Sequence, residues 1–151
     1  MKLLTPMFLI AILSGCADRN WTANEMSGQW YGTARCVNDS GKLTCRQNLV
    51  IEVDEGGEIA GTIGWTLLPE KIEGQEDSRF GNNQIGAVVN QNREKIIGMA
   101  SLHTGTFVLV ECEEPGTLVG KLLGDGTIEL LRTQPGEFPV VTFAILERED
   151  D

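Results

Sequence analysis

Leu49-Val50-Ile51-Glu52-Val53-Asp54-Glu55-Gly56-Gly57-Glu58-Ile59-Ala60-Gly61-Thr62-Ile63-Gly64-Trp65 is the stretch whose reading decides the fold. Leu49, Ile51 and Val53 recur with a period of two, the spacing of a strand that buries one face. Asp54-Glu55-Gly56-Gly57 then offers the short polar and glycine residues that reverse a chain. Ile59, Gly61, Ile63, Trp65 and Leu67 return on the same period. The two runs predict an antiparallel hairpin.

The same pattern continues in both directions. Signals for strand and turn begin at Gly28. Asn90-Gln91-Asn92 separates the run 85–89 from the run 95–100. Glu113-Glu114-Pro115-Gly116 lies between Phe107–Cys112 and Leu118–Leu123. Gly124-Asp125-Gly126, the strongest hairpin signal, leads into Thr127–Arg132. A last strand is expected from Val140 to Leu146. No long amphipathic helix is legible. Eight or nine strands in sequential hairpins predict an all-β, antiparallel up-and-down meander. Such a sheet removes its edges by closing into a small barrel; a β-sandwich is the alternative. The 18 glycines, many inside strands, suit a strongly coiled sheet. The segment 69–83 reads as an exposed polar loop.

Ahead of this domain, Lys2 precedes an apolar run, Met7–Leu13, that is too short for a bilayer span. Leu13-Ser14-Gly15-Cys16 follows. This segment resembles the lipobox of bacterial lipoprotein precursors. The resemblance implies a signal peptide over 1–15, a lipidated Cys16 as first mature residue, and a flexible tether over 16–26 ahead of a barrel domain at 27–151. Several acyl chains hold a protein stably at a membrane where one would be marginal. Ala17, in place of aspartate, implies the outer membrane, facing the periplasm.

The chain has 12 basic and 22 acidic residues, a formal net charge of −10. An acidic surface repels nucleic-acid phosphates and anionic lipid alike. Its simplest reading is solubility; the sharper one is a basic partner, such as a cationic protein or peptide. Export would permit disulfides. Cys36 and Cys45 flank the turn residues Asn38-Asp39-Ser40-Gly41 and are expected to pair across a hairpin, leaving Cys112 buried and free. One histidine, His103, and no Cys-x-x-Cys spacing argue against a metal centre, and no cofactor is expected.

Gly28-Gln29-Trp30, opening the first strand, is similar to the Gly-x-Trp signature of the lipocalin and calycin families. In those families the tryptophan plugs the closed end of a small barrel beneath a basic side chain from the last strand. The resemblance assigns Gly28, Trp30 and Arg148 to a plug, with Arg132 as reserve. A cation on an indole face, its donors on nearby carbonyls, is the physical logic. Trp65 is the candidate ligand-facing aromatic. His103 is expected in a solvated turn, and the acidic groups 54–58 and 111–114 as solvated edges that discourage strand aggregation. No Gly-x-Ser-x-Gly, HExxH or phosphate loop occurs. The expected function is a non-catalytic, lipid-anchored envelope binding protein, taking a small apolar ligand or an envelope partner. The alternative is a periplasmic inhibitor of a basic protein such as a lysozyme.

Overall fold

The computed structural model describes residues 19–68, 92–137 and 139–149. Cys16, the expected loop 69–83 and the expected strand 85–89 lie outside them. A single helical turn, α1 (Ala23–Met26), precedes eight strands: β1 (Gly28–Asn38), β2 (Gly41–Val53), β3 (Glu58–Leu67), β4 (Asn92–Ser101), β5 (Thr106–Glu111), β6 (Thr117–Leu122), β7 (Ile128–Gln134) and β8 (Val140–Arg148). They pair in sequence order, all antiparallel, and β8 closes on β1. The result is an up-and-down barrel and not a sandwich.

Local chemistry sets the turns. Asp54 Oδ1 accepts the Glu58 amide at 2.8 Å, and Asp125 Oδ1 accepts both the Thr127 amide and its hydroxyl. Asn92 belongs to β4 and pairs with Trp65 of β3. The expected turn Asn90-Gln91-Asn92 therefore gives way to a strand at its last residue. In the barrel β4 is flanked by β3 on one side and β5 on the other, both antiparallel.

Alternation decides what enters the lumen. Trp30, Leu49, Ile51, Ile63, Ile96, Phe107, Leu109, Leu118, Ile128, Leu130 and Leu146 all point inward and are fully buried. Eight strands enclose just enough space for side chains to fill. Gly120 shows how closely they fit: the Phe107 ring of the neighbouring strand occupies the place its Cβ would take. Two cavities among the described residues lie elsewhere. One, about 600 Å³, is a groove on the outer wall between Tyr31, Thr33, Arg46, Ile145 and Glu147. The other, about 150 Å³, sits beside Trp21, Trp30, Leu122 and Arg148.

Residues 19–26, expected as part of a tether, are docked onto the barrel. Thr22 caps α1 in a reciprocal capping box with Glu25. The Trp21 amide donates to Leu102 O at 2.7 Å, Arg19 lies 4.1 Å from the Trp21 ring centre and bonds Glu25, and Met26 is fully buried. An indole and a thioether find apolar surface at the barrel end, and this burial overrides the polar composition of the segment.

Candidate functional site

The lumen has two chemically different ends. At the end where β1 begins, Trp30 is buried across the barrel floor and its indole N–H donates to Met26 O at 3.3 Å. Arg148 lies 5.3 Å from the Trp30 ring centre and donates to Asn24 O at 2.9 Å and to Ser27 O. Gly28, at φ +137°, leaves room for it: a Cβ there would stand 3.0 Å from Arg148 Nε. The structure thus brings Gly28, Trp30 and Arg148 together. Arg132, the reserve, is at the other end.

At that other end the inward positions turn polar: Gln47, Glu94, Glu111, Arg132 and Thr142 are all buried. Arg132 is the hub. Its Nε donates to Glu111 Oε1 at 2.6 Å, and one terminal nitrogen donates to Glu111 Oε2 at 3.0 Å and to Gln134 Oε1 at 2.8 Å. Two parallel donors on one carboxylate make the strong, orienting form of this bond. The guanidinium also lies 4.3 Å from the Trp65 ring centre. Trp65 is half-buried against the core, its lumenal face taken by Arg132. Gln134 extends the network to Glu114 at the rim.

Glu94 has no such cation of its own among the described residues. Burial, and then the charges of Glu111 and Glu114, push its carboxyl up to about 7. Glu111 corrects an expectation. It shares parity with Phe107 and Leu109, so it faces inward and is ion-paired, whereas a solvated edge had been expected.

Cys36 and Cys45 also face this end, but they are not opposite each other. The register sets Cys36 against Leu43 and Cys45 against Ala34, a diagonal relationship. They stand as two free thiols with sulfurs 2.7 Å apart, not as the expected disulfide. The bond from Cys45 draws the Cys36 thiol down, and the same bond, with burial, pushes Cys45 up. Cys112, expected to be buried, is exposed: it follows inward-facing Glu111 and points out. His103 is exposed in the β4–β5 turn, its Nδ1 2.8 Å from Asn20 Oδ1.

The outer wall is equally divided. Over β2 and β3 it carries Arg46, Asn48, Glu52, Thr62 and Thr66. Over β4–β8 two rows run across it, one of them apolar from end to end. In one, Met99, Val108, Val119, Leu131 and Phe143 are successive register partners, ending on Arg35, whose guanidinium lies 5.6 Å from the Phe143 ring centre. The other is apolar only at its ends: Ile97 pairs with Val110, and Val141 with Val37 of β1, but Thr117 and Thr133 stand between them. Met99 and Ile97 are 55% and 54% exposed.

No model of a known protein family matches the chain, and no curated protein is significantly similar to it.

The sequence reading missed the polar hub and the outer-wall rows. Parity could have found Glu94, which shares a face with Ile96, and Gln47, which shares one with Cys45 and Leu49. The rows were hidden for a different reason. A run such as Phe107-Val108-Leu109-Val110 is apolar on both faces, and such a run reads equally as a fully buried strand.

Proposed function

We propose that the protein is a lipid-anchored binding protein of the bacterial cell envelope, without catalytic role, whose outer wall over β4–β8 holds a protein partner. The observation that carries this is the exposed row Met99–Val108–Val119–Leu131, continued by half-buried Phe143. Contiguous apolar surface beyond a few hundred Å² on a soluble domain marks an interaction face. Large side chains fill the apolar part of the lumen, the volume a carrier of a small apolar ligand would keep open, and this favours the outer wall. The wall over β2 and β3 is polar, and the lumen is apolar at the Trp30 end. A barrel immersed in lipid has the reverse arrangement, apolar outside all round and polar within. Support for the anchor is the lipobox-like segment ending at Cys16.

A photo-crosslinking residue placed at Val119, in cells, tests the reading, with Glu52 on the polar wall as control. A discrete adduct from position 119 alone is the expected result. Equal yields from both positions, or a small apolar molecule co-purifying in stoichiometric amount, would overturn it. The inhibitor reading draws its support from the acidic mouth, where Glu94, Glu111, Glu113 and Glu114 cluster around one arginine. Mixing the protein with C-type lysozyme at low salt tests that reading; an unchanged lysozyme rate removes it.

A further inference from the structure

Three oxygens at the barrel mouth are buried with no hydrogen-bond partner among the described residues: Gln47 Oε1, Glu94 Oε2 and Thr142 Oγ1. Their residues are 1%, 6% and 4% exposed. A buried polar atom left unpaired is destabilising, so three that face one lumen call for a partner. All three face the lumen around Arg132. Thr142 is its register partner on β8. Gln47 is the register partner of Trp65, on which Arg132 lies. Glu94 feels the Arg132 charge.

The chemistry of these atoms defines what would fit. An amide oxygen and an ionised carboxylate only accept, and a hydroxyl can accept as well as donate. The occupant must therefore donate. Charge supplies the second constraint. Facing Glu94 are Glu111 of β5, Glu113 and Glu114 of the β5–β6 turn, and Arg132 of β7; on β3 its register partner is the uncharged Ile63. Arg132 is already matched to Glu111. Among the described residues, ionised Glu94 is then a buried negative charge without a counter-ion of its own, a costly state that one positive charge relieves.

We propose that the barrel mouth is a binding site for a small monocation bearing N–H donors, of the ammonium or guanidinium type. The Glu94 carboxylate is its counter-ion, and the Gln47 and Thr142 oxygens are its acceptors. The proton is its competitor, because a protonated Glu94 has nothing to offer a cation. Binding therefore releases a proton. Below pH 7 the affinity rises about tenfold per pH unit, and it levels off above. This site is on the inner face of the barrel and does not depend on the outer-wall reading.

The test is a titration of the protein with methylammonium or millimolar guanidinium chloride, followed by the carbon-13 signal of the Glu94 side-chain carboxyl. Sodium chloride at equal ionic strength is the reference. Either organic cation should lower the Glu94 midpoint while sodium does not. Glu94→Gln should abolish binding, and the near-isosteric Thr142→Val should weaken it several-fold with the fold intact. Displacement of methylammonium by a C-type lysozyme would assign the cation to a side chain of a basic protein; no displacement would assign it to a free amine. An unmoved Glu94 midpoint, an equal response to sodium, or undiminished binding by Glu94→Gln would each overturn the proposal.

Discussion

Gly28 and Arg148 share one small volume: the glycine hydrogen faces the guanidinium where any other residue would set a carbon 3.0 Å from Arg148 Nε. The backbone of Gly28, at φ +137°, is in a region that L side chains rarely adopt. Gly28→Ala should therefore lose on two counts, strain and displacement of the arginine from Trp30. A loss of about 1–3 kcal/mol is expected, read from urea midpoints. Arg148→Met, which keeps the stem over the indole but not the bonds to Asn24 O and Ser27 O, should lose less than Arg148→Ala.

The Arg132–Glu111 pair should behave as a unit. Arg132→Met leaves a buried carboxylate alone and is expected to cost about 3–5 kcal/mol. Replacing both residues by Met and Leu should recover most of that loss. A double-mutant cycle by chemical denaturation checks the coupling.

Glu94 gives stability an inverted dependence on pH at one position. Its carboxyl, ordinarily at 4.5, lies at about 7 in the fold. The folded state holds the proton more tightly, so the contribution is full below pH 4.5 and is lost as pH rises through 7. Glu94→Gln should remove this slope. Comparing the two proteins at pH 5 and pH 8 by thermal denaturation isolates it from the other carboxylates; the variant should gain relative stability at pH 8.

The three described cysteines should separate by reactivity. Exposed Cys112 should take up a maleimide at once, and buried Cys36 and Cys45 only on unfolding. With sulfurs 2.7 Å apart, a two-electron thiol oxidant should join Cys36 to Cys45, releasing two protons. Closing so short a loop would add about 2.5 kcal/mol. Mass spectrometry after alkylation, with and without reductant, reads both outcomes.

The hairpin signals at Asp54–Gly57 and Gly124–Gly126 were legible because turn chemistry is local, and period-two alternation then fixed which faces point inward. The diagonal offset of Cys36 and Cys45 was not, because register between strands depends on the whole ladder. Glu111 was misread for its neighbours: three acidic residues near a turn look solvated, and the arginine that pairs with one of them is 21 residues away. Trp21 was hidden in a polar segment, its burial set by the β4–β5 turn, where a Cβ on Gly105 would press against the indole.

That docked segment also bears on how the molecule stands. Arg19 and Trp21 are fastened beside the Trp30 floor, and Cys16 is only three residues upstream, about 10 Å of extended chain. A lipid on Cys16 would therefore keep the Trp30 end of the barrel nearest the membrane, with the acidic mouth at the far end and the apolar flank to the side.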